Sequence, residues 1–185
     1  MIKDVYAQME EKMQKSLEKT KHEFAGIRTG RASSALLSDI KVEYYGTHVP
    51  INQVANIAIP EARLIEIKPW DKAALGEIEK AILKSQLGIN PNNDGKMLRL
   101  SIPSLTEERR KELVKMVKKM GEEAKVSMRN IRREANDALM KHKDKKEITE
   151  DDYFKAHEHA QKVTDQYIKK IDEVLEGKEK EIMEV

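Results

Sequence analysis

The chain has 185 residues, of which 37% are charged and none is cysteine, and its formal net charge is +2. The lack of cysteine excludes disulfides, thiolate metal sites and a cysteine nucleophile, and it favours a reducing cytoplasm. A mean hydropathy of −0.71, with no run of about 18 uncharged apolar residues, predicts no membrane span. Because the first residues lack the apolar centre of a signal peptide, we expect a cytoplasmic protein.

The first predicted element is a helix over residues 2–29. Its apolar residues recur at steps of three, four or seven, the spacing of one buried helix face; they are Ile2, Val5, Met9, Met13, Leu17, Phe24 and Ile27. Gly30 accepts the positive φ that often follows a helix end. We therefore expect the helix to end near Gly30.

Residues 31–104 are predicted to form a mixed module, because the helical period gives way to short apolar runs separated by turn residues. The predicted strands are 40–45, 56–59, 64–67 and 97–102, with a turn at Gly46-Thr47-His48 and a loop at 90–95. A helix over 71–87 is predicted between these strands. Asp71 is its expected N-cap, and Gly88 follows its end.

Two more long helices are predicted in the C-terminal part. Ser104-Leu105-Thr106-Glu107 matches the Ser-x-x-Glu capping box that opens a helix. The apolar seam that follows is Leu113, Val117, Met120, Ala124, Met128, Ile131, Ala135 and Ala138. We expect this helix to fray or turn within 141–146, and the last helix to begin after Thr149 on three acidic residues. The last seam is Ala156, Ala160, Val163, Tyr167, Ile171 and Val174.

Three amphipathic helices can bury their apolar faces only against one another. The sequence therefore predicts an α+β fold, in which residues 1–30 and 105–185 form an antiparallel three-helix bundle. A small β/α/β domain, residues 31–104, is inserted between the first and second of these helices. Because the two crossings of the chain are adjacent, at Gly30-Arg31 and Ser104-Leu105, a hinge is geometrically possible there.

Positive charge is concentrated in residues 105–147, which hold 14 basic and 9 acidic side chains, a net charge of +5. Residues 148–185 hold 6 basic and 11 acidic side chains, a net charge of −5. At about 100° per residue, the cations of the long helix fall within or beside one sector of roughly 60°. This basic row consists of Lys111, Lys115, Lys118, Lys125, Arg129, Arg132 and Arg133.

The basic row spans about 32 Å from Lys111 to Arg132 at 1.5 Å per residue, a length that favours an extended polyanion over a small molecule. Its three arginines lie at i, i+3 and i+4, and their planar guanidinium groups can bind phosphates and stack on bases. Two simpler interpretations stay open. The arginines form a solvated face beside Glu134 and Asp137, or the two oppositely charged helices attract each other.

Catalytic chemistry has little support in the sequence. Gly26-Ile27-Arg28-Thr29-Gly30-Arg31 lacks the glycine spacing and the Lys-Ser/Thr pair of a phosphate-binding loop. His157 and His159 lie about 200° apart on a helix and cannot share a metal, and no isolated acid pair is apparent. We therefore predict a binding protein that is not an enzyme and uses no metal or cofactor. The alternative is a helical scaffold whose basic helix meets an acidic partner helix, with an enzyme as a distant third.

Six blocks of sequence resemble the ribosome recycling factor family, in order and through most of the chain. They are Arg28-Thr29-Gly30-Arg31-Ala32-Ser33, Val42-Glu43-Tyr44-Tyr45-Gly46, Leu87-Gly88-Ile89-Asn90-Pro91, Leu105-Thr106-Glu107-Glu108-Arg109-Arg110-Lys111, Arg129-Asn130-Ile131-Arg132-Arg133 and Lys146-Glu147-Ile148-Thr149-Glu150-Asp151-Asp152. Any one block is weakly specific, whereas six in register are highly specific.

The resemblance implies an L-shaped molecule with a tRNA-like outline, made of a three-helix bundle and an inserted β/α/β domain. It implies a monomeric, bacterial, cytoplasmic factor that binds the post-termination ribosome and, with elongation factor G and GTP, splits it into subunits. The bundle would lie on large-subunit ribosomal RNA at the inter-subunit face, and only the partner factor would use GTP. The alternative is a helical scaffold or RNA-binding protein without recycling activity.

Residue roles follow from the resemblance by position. It implies that Arg129, Arg132 and Arg133 contact ribosomal RNA, with Arg110 and Arg28 as helpers. The pattern of charge suggests further phosphate contacts from Lys111, Lys118 and Lys125. The resemblance also implies that the hinge consists of Gly30, Arg31, Ser104 and Leu105.

Overall fold

The computed structural model of the protein describes residues 1–184, and over this range the chain forms four α-helices and six β-strands. The helices are α1 Ile2–Ala25, α2 Ala74–Lys84, α3 Glu107–Asp144 and α4 Glu150–Met183. The strands are β1 Lys41–Tyr44, β2 Thr47–Pro50, β3 Ala55–Glu61, β4 Leu64–Pro69, β5 Asn92–Asn93 and β6 Leu98–Ser101.

The chain divides into two compact units. The helical unit comprises Met1–Phe24 and Lys111–Glu184, and the mixed unit comprises Ala25–Arg110. The first turn of α3 is grouped with the mixed unit. Domain boundaries at 30/31 and 104/105 stay a prediction, as does a hinge at these two positions.

Three long helices make up the helical unit, and side-chain contacts fix their directions. Tyr167 Oη on α4 donates to Gln14 Oε1 on α1 over 3.2 Å, and the rings of Tyr6 and His159 lie 4.2 Å apart, so α1 and α4 run parallel. Lys12 on α1 pairs with Glu134 on α3 at 2.6 Å. Lys118 on α3 pairs with Glu179 on α4, and Lys125, which follows Lys118, pairs with Asp172, which precedes Glu179. Because α3 runs antiparallel to both neighbours, the predicted antiparallel bundle is confirmed.

The predicted seams form the core of this unit. Buried on α3 are Leu113, Val117, Ala124, Met128 and Ala135, while Met120, Ile131 and Ala138 are half-buried. The core also contains two α3 residues outside the predicted seam, Gly121 and Leu139. A Cβ added at Gly121 would lie 3.0 Å from Leu175 Cδ2. This position therefore allows α3 and α4 to approach closely.

Two helix ends differ from the sequence-based prediction. α1 ends at Ala25, four residues before the predicted end, and Thr29 and Gly30 are buried in the mixed unit. The capping box predicted at Ser104 is wrong, because α3 begins at Glu107 and Arg109 N donates to Thr106 Oγ1 over 3.2 Å. Ile102 N still donates to Arg63 O over 2.8 Å, and this sheet-like bond keeps the chain extended beyond β6.

The end of α3 and the start of α4 agree with prediction. α3 ends at Asp144, inside the segment expected to fray or turn. Thr149 caps α4: its hydroxyl accepts a hydrogen bond from Asp152 N, and the Asp152 carboxylate accepts one from Thr149 N. This reciprocal pair is the capping box, which satisfies two backbone donors at a helix N-terminus.

The mixed unit is built on an antiparallel four-stranded sheet in the order β3-β4-β6-β5, with β1 and β2 as a separate hairpin. Ile57 lies opposite Ile67, and Ile65 opposite Leu100. Alternate strand residues are buried in one core with the apolar face of α2; this core includes Ile65, Ile67, Ile78, Ile82, Leu98 and Leu100. The α+β class predicted from the sequence is confirmed.

Short elements of this unit were harder to predict. The turn predicted at 46–48 lies at Tyr45 and Gly46, which have φ of 47° and 78°, and Thr47 already begins β2. β5 lies within the predicted loop. α2 is shorter than the predicted 71–87, and Asp71 is not its N-cap: its carboxylate accepts Ala73 N and the Tyr45 hydroxyl instead.

Candidate RNA-binding surface

The basic row lies on a long single helix. α3 has 38 residues, about 57 Å at 1.5 Å per residue, and its buried seam holds it against two other helices. Glu107 and Glu108 occupy its first turn and Lys141, His142 and Lys143 its last, the arrangement that complements the helix dipole. Cations on such a helix keep fixed spacings, because their Cα atoms cannot move independently.

Arg129 and Arg133 are available to a ligand. Both are exposed and lie one turn apart, so their side chains occupy the same face. Within residues 1–184 neither guanidinium makes a hydrogen bond or a salt bridge. Two charged planar groups are thus presented to solvent with all their donors unused.

Arg132 is held differently from its two neighbours. It is half-buried, and its Nη1 donates to Gln161 Oε1 on α4. Gln161 Nε2 donates in turn to Asp165 Oδ1 over 2.8 Å. Because a neutral amide rather than a carboxylate touches the guanidinium, Arg132 is oriented without being neutralised.

Two lysines of the basic row, Lys125 and Lys118, are paired with acids. Lys125 Nζ lies 2.6 Å from Glu122 and 3.0 Å from Asp172, with 14% of its side chain exposed. Hydrogen bonds from Glu122 and then Asp172 raise the pKa of Lys125 above its usual value. Lys118 lies 3.5 Å from Glu179. For these two lysines, the interpretation that oppositely charged helices attract each other describes the observed contacts.

Helical geometry explains why the row divides in this way. Lys118, Lys125 and Arg132 are spaced by seven residues, and an α-helix drifts by about 20° per heptad, so this set turns towards α4. Lys111, Lys115, Arg129 and Arg133 lie on the other side of the row and are exposed. The cations therefore form two sets, one facing α4 and the other facing solvent.

The two predicted helpers, Arg110 and Arg28, and the predicted phosphate contact Lys111 lie at the start of α3 and in the mixed unit. Lys111 is exposed, whereas Arg110 is half-buried and its Nε is buried with no hydrogen-bond partner among residues 1–184. Arg28 follows α1, and its Nη1 donates to Leu87 O over 2.8 Å. This bond joins two loops of the mixed unit. RNA contacts by all these residues stay predictions.

Gln161 and Asp165 were missed by sequence reasoning. A signal was present, since Glu179, Asp172 and Asp165 on α4 repeat the seven-residue spacing of Lys118, Lys125 and Arg132 on α3. In an antiparallel pair of helices, the two sets come into register. The sequence does not reveal that Gln161 donates a hydrogen bond to the Asp165 carboxylate and accepts one from Arg132.

No helix among residues 1–184 is both long and apolar enough to cross a membrane. In the same part of the chain, no three His, Asp or Glu side chains are grouped as ligands for a metal ion. His157 and His159 contact different rings, those of Tyr153 and Tyr6.

The sequence matches one protein family along most of its length. Residues 20–183 match the family described as Ribosome recycling factor. The ribosome-recycling factor of Syntrophomonas wolfei is 56% identical over 185 residues, which cover 100% of both chains. That of Bacillus subtilis is 55% identical over 185 residues, again covering 100% of both chains.

Solved structures give the same result for the fold. A solution structure of the ribosome recycling factor superposes with a TM-score of 0.84 at 47% identity, covering 100% of this chain and 98% of the other. A second match is described as models for the T. thermophilus ribosome recycling factor and the E. coli elongation factor G bound to the E. coli post-termination complex. It has a TM-score of 0.70 at 50% identity and covers 99% of each chain.

Proposed function

Because this chain belongs to the ribosome recycling factor family, we propose that it binds the post-termination ribosome and, with elongation factor G and GTP, separates the two subunits. The partners are large-subunit ribosomal RNA and elongation factor G. A relative 50% identical to this chain is described together with elongation factor G on a post-termination complex, which supports the choice of partner. The chain acts in the cytoplasm and binds no cofactor of its own.

The observation that carries the proposal is a set of three arginines on α3 that no acid neutralises. Arg129 and Arg133 are exposed without intramolecular partners, and Arg132 is oriented by an amide. Each guanidinium can donate two parallel hydrogen bonds to a phosphate and can stack on an unpaired base. These arginines, with Lys111 nearer the start of α3, bind RNA through the phosphate backbone.

The function is mechanical, so the chain needs no catalytic group. The helical unit binds RNA, and the GTPase partner supplies the free energy by moving the mixed unit about a hinge at Gly30-Arg31 and Ser104-Leu105. Both segments lack helix and strand, which supports their assignment. Movement of the helical unit on the RNA then breaks contacts between the subunits.

Subunit separation tests the proposal directly. Post-termination ribosomes are mixed with the chain, elongation factor G and GTP, and the fraction of free subunits is measured by light scattering and by sedimentation. We expect separation that needs all three components. If the chain sediments with ribosomes but leaves them intact under these conditions, it is an RNA-binding protein without recycling activity.

Locking the hinge tests the mechanical step separately. Since the chain has no cysteine, one engineered cysteine in each unit can be joined by a short bifunctional reagent without side reactions. We expect the cross-linked protein to bind ribosomes normally and to lose subunit separation. The same double variant without the reagent is the control, and full activity of the cross-linked form would remove the hinge from the mechanism.

A further inference from the structure

We propose that a cavity in the mixed unit binds an unpaired nucleobase, separately from any phosphate contacts of the basic row. The cavity has a volume of about 450 Å³, within the range of about 300–1,000 Å³ typical of ligand pockets. It opens between the 3₁₀ turn Ser34–Leu37 and the start of β3, beside Trp70. The choice of ligand rests on the proposed function, because that function places the chain against RNA.

The lining of the cavity has an apolar floor and a polar rim. Leu37 and Ala55 are each 2% exposed, and Ile57 is half-buried. The polar residues on the rim are Ser34, Ser38, Asn52 and Asn56, all of them exposed. A cavity with an apolar floor and a few polar groups at its rim suits a flat ring that carries hydrogen-bonding atoms on its periphery.

Trp70 supplies an aromatic wall. Trp70 is 70% exposed, although its backbone is fixed by a hydrogen bond from Trp70 N to Val54 O of 3.1 Å. An exposed indole that lines a cavity can stack on an incoming ring. Base stacking on aromatic side chains is a general means of binding unpaired nucleotides and tolerates different bases.

The polar groups on the rim have unused hydrogen-bonding capacity. Within residues 1–184 the side-chain amides of Asn52 and Asn56 and the indole N–H of Trp70 make no hydrogen bond. Each asparagine presents a donor and an acceptor side by side, and base edges carry the same combination. The Ser38 hydroxyl donates to Ala35 O over 2.8 Å and can still accept.

Charge argues against two other ligands. None of the nine residues that line the cavity is charged, so the cavity offers no ion pair to a phosphate or to a charged amino-acid side chain. A nucleobase is neutral and planar, and it combines a face for Trp70 with an edge for the two asparagines. The cavity therefore fits the base of a nucleotide whose phosphates stay outside.

Fluorescence of Trp70 provides the test, since this is the only tryptophan in the chain. The full chain is titrated with adenosine and, in parallel, with ribose, excited at a wavelength at which adenosine does not absorb. Both ligands are uncharged, so neither forms an ion pair with the basic row, and quenching reports only a ligand that comes close to Trp70. We expect adenosine to quench Trp70 saturably and ribose to have no effect. An equal response to both ligands, or none to either, would overturn the proposal.

Asparagine variants identify the site. Asn52→Ala and Asn56→Ala are each expected to weaken adenosine binding about fivefold, as for one lost neutral hydrogen bond. Asn92→Ala is the matched control, because Asn92 is exposed on β5 at the opposite edge of the sheet; its binding should equal that of the wild type. Unchanged binding in both cavity variants would place adenosine elsewhere and refute the assignment. Far-UV circular dichroism checks that each variant is folded.

The two proposals fail separately. Arg132→Ala should leave adenosine quenching unchanged while it weakens ribosome binding. Quenching that persists in a chain unable to separate subunits would keep the nucleobase site and reject the recycling function. Subunit separation by the wild type together with absent adenosine quenching would keep the recycling function and reject the nucleobase site.

Discussion

The two sets of cations on α3 have similar composition and opposite surroundings. Lys118 and Lys125 face α4 and pair with Glu179 and Asp172. Arg129 and Arg133, close by on the same helix, face solvent and pair with nothing within residues 1–184. A row of cations on a helix is therefore not uniformly available, because a drift of about 20° per heptad is enough to separate paired from unpaired positions.

Arg132 stands between the two sets. By spacing it belongs with Lys118 and Lys125, since it too faces α4. By charge it belongs with Arg129, because the group it touches is the amide of Gln161 and not a carboxylate. Arg132 can therefore be removed, given an acid partner, or compared with a lysine that has one.

The largest effect is expected from removing Arg132, an arginine that no carboxylate neutralises. Arg132→Ala should weaken binding to the large subunit by about 1–3 kcal/mol, as for a lost charged hydrogen bond. Lys118→Ala should weaken it by less than about 0.5 kcal/mol, since an exposed ion pair already occupies that lysine. Co-sedimentation at one fixed salt concentration measures both. An unchanged affinity of folded Arg132→Ala would defeat the assignment of this residue to RNA.

An intermediate effect is expected from supplying Arg132 with an acid. Gln161→Glu replaces the amide by a carboxylate, so the Arg132 guanidinium forms an ion pair, as Lys125 already does. RNA binding should then weaken by about 1 kcal/mol. Gln166→Glu is the matched control, because Gln166 is exposed on the same helix and the change in net charge is identical. Equal weakening in both variants would show that net charge, and not the partner of Arg132, controls affinity.

The smallest effect is expected from releasing Lys125. In the double variant Glu122→Gln and Asp172→Asn, Lys125 loses both carboxylates and becomes available to a phosphate. The slope of log affinity against log salt concentration should then become steeper by about 1. Glu11→Gln with Glu23→Gln on α1 removes the same charge from exposed ion pairs and serves as the control. A steeper slope in the control as well would indicate a general effect of charge.

The long helices were predictable because their signal is local. A residue that recurs every three or four positions faces one side of a helix whatever the rest of the chain does. The seam of α4 illustrates this, since Ala156, Ala160, Tyr167 and Ile171 are all buried. Thr149 as the start of α4 was equally predictable, because the cap and the donor it satisfies lie three residues apart.

The short elements were not predictable in the same way. β2 forms because Thr47–Pro50 pairs with β1 in a specific register. A run of four residues is too short for its hydrophobic period to predict this pairing. Asp71 resembled an N-cap, but the Tyr45 hydroxyl and Ala73 N both donate to its carboxylate. α1 ended early, since Thr29 and Gly30 are buried in the other unit.

The sequence alone determined which residues are cations, on which helix they lie and roughly which face they share, because these properties depend on covalent spacing and on the period of the helix. Only the tertiary structure decided which cations are free. For Lys118, Lys125 and Arg132, the side chain that faces the cation lies on another helix, about 30 to 60 positions away in the sequence, and antiparallel packing of the two helices sets that pairing. For Arg132, the packing places Gln161 rather than Asp165 against the guanidinium.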